Sequence, residues 1–278
     1  MQTQPRMDRD RANRLGTLLR SWRAARGLSQ LDLAFRSGLS ARHLSFIETG
    51  RTQPSRHALL VIAEALEMPL RERDRMLEAG GYARVYQQTG LEADEMRHVR
   101  EVLRFILERH EPYGAVVLDR YWTVMMSNAA AGRSLPAFAD ATLWTDSPVN
   151  LLRLLFHPLG IRRFVVNWDD VSLHMVLRAH RELEGPGGDD RGAALLKELH
   201  GYPDVPAYPP VPHVSKKSDL VIPVHPRKDG VDIRTFTTIM TLGTPQDVML
   251  QELRIETFFP ADEASDRVLR AMSASGTV

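Results

Sequence analysis

The chain has 278 residues and no cysteine. That excludes disulfides, thiolate nucleophiles and cysteine-bound zinc, and leaves the fold to apolar burial and hydrogen bonds. No apolar run approaches the ~20 residues of a membrane-spanning helix. Residues 1–10 are polar and charged, without the apolar centre of a signal peptide. A cytoplasmic protein that uses no membrane is therefore expected. Lysine is scarce, with only Lys197, Lys216, Lys217 and Lys228, so the basic charge is almost all arginine. Catalytic motifs are missing too. There is no His-Glu-x-x-His and no Gly-x-Ser-x-Gly. His174 and His180 lie six apart and do not share a helix face. Gly185–Asp189 lacks the lysine of a phosphate loop, and the adjacent Asp169 and Asp170 diverge on any regular element. The expectation is no enzyme, no metal and no resident cofactor.

What is present suggests two domains. Hydrophobic residues make up 43% and charged residues 26%, ordinary values for a globular protein. The charge is uneven. Up to residue 60 there are eleven arginines against Asp8, Asp10, Asp32 and Glu48, on a chain whose net charge is only +1. A basic end on a near-neutral chain is the electrostatic footprint of phosphate binding.

That basic end also carries the clearest pattern. In Ser29–Arg51, Ser29 is an N-cap that Asp32 can answer as in a capping box. Leu31, Ala34 and Phe35 recur at helical spacing. Gly38 supplies the backbone angle of a sharp helix–helix turn, and Leu39 packs inward. Ser40 caps a second helix, in which Leu44 and Ile47 face the core while Ala41, Arg42, Ser45 and Phe46 face away. Such a helix fits the DNA major groove, where Arg42 could read guanine; Phe46 is more often a packing residue. A helix over Asn13–Arg26 precedes the pair and ends at Gly27. A fourth follows the cap Ser55, and a fifth runs from Leu70 to Ala79 after Pro69.

These residues resemble the XRE-type, phage-repressor-like helix-turn-helix family. The resemblance lies in Gly27-Leu28-Ser29-Gln30, Leu33-Ala34, Gly38-Leu39-Ser40, Leu44-Ser45, Ile47-Glu48, Gly50-Arg51 and Pro54-Ser55. It implies a five-helix, lambda-repressor-like domain in which Gln30 holds a phosphate. Ser40, Ala41, Arg42, Ser45 and Phe46 would face the groove, and Arg51 would hold the other strand. Arg23 and Glu48 match the family's buried ion pair. Two-fold operators, read by a homodimer, are the implied partner.

Beyond a hinge at Gly80–Thr89 the texture changes. A connecting helix over Leu91–Arg109 leads to strands at Ala115–Leu118 and Tyr121–Met126, and Ser127–Ala131 starts a capped helix. Asn150–Glu184 is helical, broken at His157–Gly160, and another helix spans Gly192–His200. Tyr202–Pro212, with five prolines, is a loop. Three strands are expected at Leu220–Pro226, Val231–Leu242 and Val248–Phe259, with a hairpin turn at Asp229-Gly230. This order predicts a PAS-like domain with a five-stranded antiparallel sheet and flanking helices, an α+β unit behind an all-α one. The expected boundaries are a disordered arm over 1–10, the helix-turn-helix over 11–82, a linker and connecting helix over 83–109, the PAS-like domain over 110–270 and a disordered tail over 271–278.

Residues from about 108 to 270 also resemble the ligand-binding domain of MmyB-like transcription regulators. The matching segments include His110-Glu111-Pro112-Tyr113, Leu118-Asp119-Arg120, Ser127-Asn128-Ala129-Ala130, Asn150–Pro158, Asn167-Trp168, Gly243–Val248 and Leu250–Asp262. The resemblance implies a one-component regulator that can hold a fatty acid or another apolar ligand. The composition agrees, since methionine and aromatic side chains line adaptable apolar pockets. Met125, Phe156, Trp168, Phe236 and Phe258 are candidate wall residues, although each alone reads more readily as core. Asn128, Arg153 and His157 are candidate polar anchors. The alternative is a protein-interaction or dimerisation module without a small-molecule ligand.

Overall fold

The computed structural model describes residues 9–145, 148–185, 188–208 and 223–274. It forms two compact units. One comprises the described residues up to Thr89 with Thr244–Gln251, and the other comprises those from Gly90 to Gly243 and from Glu252 onward.

The first unit holds α1 (Arg9–Ala25), α2 (Gln30–Ser37), α3 (Ala41–Glu48), α4 (Arg56–Ala65) and α5 (Leu70–Ala79). Helix α1 starts four residues ahead of the sequence-based start at Asn13, and residues 1–8 of the expected arm lie outside the described residues. The caps form as expected. Asp32 N donates to Ser29 Oγ at 3.1 Å and Ser29 N to Asp32 Oδ2 at 3.0 Å, closing a capping box. His43 N and Ala58 N donate to the hydroxyls of Ser40 and Ser55. Gly38 takes a φ of +66°, a left-handed angle that lets Leu39 N reach Ala34 O and closes the turn.

Leu15, Leu19, Trp22, Leu33, Leu44, Ile47, Leu59, Ile62 and Met76 form the buried centre of this unit. The stripe expected on α2 is rotated. Ala34 is buried with Leu33 and Ser37, whereas Leu31 and Phe35 are 70% and 88% exposed. Helix α1 crosses α3 closely at Gly16, where an added Cβ would sit 2.2 Å from the Glu48 carbonyl oxygen. Gly16→Ala is expected to force the helices apart and lower stability by ~1–3 kcal/mol, read by urea denaturation.

Residues 244–251 complete the first unit. Helix α5 follows Pro69, which offers no side-chain cap. Instead Gln251 Oε1 accepts from Leu70 N at 2.6 Å, while Asp247 Oδ2 accepts from Thr89 N at 2.9 Å. Loss of that borrowed cap in Gln251→Ala should lower the thermal midpoint, at a cost of ~0.5–2 kcal/mol.

In the second unit, α6 (Arg97–Arg109) leads to β1 (Ala115–Leu118) and β2 (Val124–Ser127). Helices α7 (Ala129–Ala137), α8 (Ala141–Thr145), α9 (Leu151–Phe156), α10 (Trp168–Leu183) and α11 (Asp190–His200) follow. Then come β3 (Arg227–Lys228), β4 (Val231–Asp232) and β5 (Thr235–Met240); the chain passes through α12 (Val248–Glu252), which belongs to the first unit up to Gln251, and returns as β6 (Arg254–Pro260) and α13 (Glu263–Ala274).

Among the described residues the main sheet has four strands, not five, in the antiparallel order β2-β1-β6-β5. Strand β1 pairs on both edges and is wholly buried, which suits its Ala-Val-Val-Leu sequence. Three physical causes account for the missing strand. The stretch from Val231 to Leu242 is interrupted, so that β4 pairs only with β3 around Asp229 and Gly230, both at positive φ, in the expected hairpin turn. The expected strand at Leu220 begins outside the described residues, and Val224 then makes a single bridge to Thr235. The stretch from Val248 opens as a helical turn because Asp247 Oδ1 accepts from Met249 N at 2.8 Å, and pairing starts only at Arg254.

Strand β2 likewise starts later than Tyr121. Asp119 Oδ1 accepts from Tyr121 N and Thr123 N, both at 2.8 Å, and this loop turns Trp122 inward at a φ of +66°.

Candidate functional site

On the first unit, α3 is clamped by one buried carboxylate. Glu48 Oε1 accepts from Arg23 Nε at 2.8 Å, and Glu48 Oε2 accepts from Gln30 Nε2 at 2.6 Å. The Glu48 carbonyl accepts from Arg20 Nη1 at 2.8 Å. Two helices are thereby tied to the end of α3. Gln30 thus stands at the start of α2 with its amide nitrogen held by Glu48. Ser40 caps α3, Ala41 packs its methyl toward the core, and Ser45 is half-buried with its carbonyl accepting from Thr49 Oγ1 at 2.7 Å.

Arg42 and Arg51 are exposed, and their guanidinium carbons lie 5.3 and 5.8 Å from the Phe46 ring centroid. Phe46 is half-buried and serves as a shared platform for the two cations. The seven residues singled out on this unit therefore lie on α3, at its cap, on the loop after it and at the start of α2. What they present is a short helix whose N-terminal half carries donors and positive charge.

The second unit holds a partly open cavity of about 240 Å³ between one face of the sheet and α7, α9, α10 and α13. That is slightly below the ~300–1,000 Å³ usual for small-molecule sites. Leu135, Phe138, Leu155, Met175, Phe258 and Leu269 are among its apolar walls. Strand alternation sets what β5 and β6 contribute: Thr235 and Thr237 from one, Glu256 and Phe258 from the other.

The polar end is a cluster of charges. Arg178, also in the wall, donates through Nη2 to Glu256 Oε1 and through Nε to Glu182 Oε1 at 2.7 Å. Arg254 Nη1 lies 2.7 Å from Glu182 Oε2, and its Nε lies 3.5 Å from Glu256 Oε1. Both guanidinium carbons lie 4.3 Å from the ring centroid of fully buried Trp122. Burial opposes the charge on Arg178, but the adjacent Glu256 and Glu182 outweigh it and raise its pKa. Burial dominates at Arg254 and lowers its pKa. Two cations thus face two anions, and the cluster is neutral overall.

Of the residues singled out in the sequence for this unit, Phe258 lines the cavity and the others lie elsewhere. Asn128 Oδ1 accepts from Ala115 N and Ala131 N, fixing β1 to α7. Arg153 forms a two-pronged pair with Glu198 at 2.7 and 2.8 Å. His157 is the cap residue after α9 and packs edge-on to Tyr202. Burial and the Glu198 carboxylate push Tyr202 up to about 12. Phe156 is buried against Trp168, and Met125 is half-buried on β2. Phe236 falls on the face of β5 opposite Thr235 and Thr237, where it stacks on Phe259.

Arg178, Glu256 and Trp122 escaped the sequence reading. The signal that could have flagged them is the run Arg254, Glu256, Phe258, which places two charges on one face of a strand otherwise rich in buried residues.

A family model described as "MmyB-like transcription regulator ligand binding domain" matches residues 99–272, and one described as "Helix-turn-helix domain" matches residues 14–76. Among solved structures, the restriction-modification controller protein C.AhdI from Aeromonas hydrophila shares 39% identity. That match covers 22% of this chain and 94% of that one, with a TM-score of 0.22. An RNA-binding light-oxygen-voltage receptor is 12% identical, with 96% of this chain and 63% of that one covered and a TM-score of 0.28. No curated protein matches the sequence.

Proposed function

The chain belongs to the MmyB-like transcription regulators, a DNA-binding helix-turn-helix regulator with a ligand-binding domain, and from that premise we propose that it reads a specific DNA sequence and answers to a small apolar ligand. The observation that carries the second half is the cavity, whose lining is mostly apolar and includes the Arg178–Glu256 pair. Long apolar molecules of the fatty-acyl type suit such a wall. On the DNA side, α3 enters the major groove. Arg42 reads a base edge, and Gln30 and Arg51 hold phosphates, each from the position described above. The active species in this reading is a homodimer on a two-fold site, with half-sites ~34 Å apart.

Occupancy reaches DNA only if the ligand favours one of two arrangements of the protein. The chain offers a route. Strands β5 and β6 both line the cavity, and the segment joining them supplies residues 244–251 of the helical unit.

Native mass spectrometry of the purified chain, followed by extraction, tests the ligand half. One apolar molecule per protomer is the expected result. A chain that stays empty after incubation with long-chain amphiphiles would instead assign this domain to protein interaction.

A further inference from the structure

Resting on the reading of the cavity as a ligand site, we propose that it selects apolar ligands with an uncharged, oxygen-bearing head and disfavours carboxylates, with Glu256 as the residue that sets this choice. Glu256 is 2% exposed and stands in the cavity wall beside Arg178. A free arginine at the end of an apolar cavity would draw a carboxylate. Here Arg178 is already matched by Glu256 and Glu182, and Arg254 is matched by the same two glutamates. A carboxylate arriving at this end meets the Glu256 carboxylate across a medium that screens poorly. It also competes for a guanidinium already paired through Nε and Nη2 with two carboxylates.

A neutral head faces neither obstacle, and suitable donors and acceptors line the wall. The indole Nε1 of Trp122 is buried and has no hydrogen-bond partner among the described residues. Its ring lies in the wall between the two guanidiniums, and a bound head that shifts this cluster could reach the unused N–H. Thr235 and Thr237 add hydroxyls on the sheet side. An alcohol, ester or amide head matches this set. An amine fares no better, because the cluster is neutral overall and offers no net charge to offset the loss of the ion's hydration in an apolar cavity.

The test measures binding of 1-decanol, decanoate and decylamine to the full-length protein at pH 8, by displacement of a fluorescent apolar probe. Decanol is expected to bind at least ~10-fold more tightly than either ion. Glu256→Gln keeps the size of the side chain and removes its charge. It is expected to improve decanoate binding by ~10-fold or more while changing decanol by less than about threefold. Decanoate or decylamine binding as tightly as decanol to the unaltered protein overturns the inference, with no variant needed. A folded Glu256→Gln protein that keeps the original ranking overturns the role of Glu256. Failure of all three probes to bind overturns the ligand-site reading itself, which distinguishes the two failures.

Discussion

Arg42→Ala is expected to lower affinity for the preferred DNA site by about 1–3 kcal/mol, roughly 5- to 150-fold, and to flatten base preference at one position of each half-site. Three features support that role. It is exposed, it occupies the second position of the capped helix α3, and its guanidinium rests against the Phe46 ring. The ring restrains the side chain before DNA arrives, which reduces the rotamer entropy lost on binding. Affinity for random duplex should fall much less, because that binding depends on the number of phosphate contacts. Competition binding against a panel of single-base variants separates the two effects. Equal affinities for wild type and Arg42→Ala on both DNAs would remove α3 from the role of recognition helix.

A second large effect is expected at Glu48. Its side chain is 1% exposed, and it gathers Arg23 and Gln30 at the end of α3. Glu48→Ala leaves the Arg23 guanidinium, itself only 19% exposed, without its anion. Breaking a buried pair from one side costs ~3–5 kcal/mol, a large fraction of the ~5–15 kcal/mol stability of a typical domain. Chemical denaturation should show the helical unit unfolding at much lower denaturant, and DNA binding should be lost with it. Glu48→Gln keeps an acceptor for Arg23 and should cost less. Equal stability of the Ala variant and the wild type would mean that the pair does not hold α3.

The first unit was legible in the sequence because its determinants are local. Ser29 with Asp32, Ser40 with His43, Ser55 with Ala58 and the turn at Gly38 all act within a few residues. Where the reading of α2 slipped, at Leu31 and Phe35, the periodicity was right but its phase was off. Ser37 is buried with its hydroxyl bonded to Leu33 O, and two large apolar residues face outward.

The cavity was legible only as a composition. Phe258 was singled out directly, and the apolar character of the domain was evident. The polar end depends on Arg178 meeting Glu256, 78 positions later, and on the Asp119 turn that aims Trp122 inward. Neither has a local signature. Arg153 shows the same limit from the other side, since a helical arginine reads as a possible anchor until the fold supplies Glu198. Gln251 is the third case: the cap of α5 comes from 181 residues away.

Under the proposed function, the contents of the cavity control DNA binding. The measurement that tests it most directly is a titration of one duplex, chosen by selection from random sequences, with two preparations. One is the chain as purified, and the other is the chain stripped of apolar material and checked by mass spectrometry. A two-fold-symmetric site is expected to emerge from the selection, and the two preparations are expected to differ in Kd by roughly 5-fold or more, the usual size of coupling between sites. Identical Kd values for the filled and the emptied protein would contradict it.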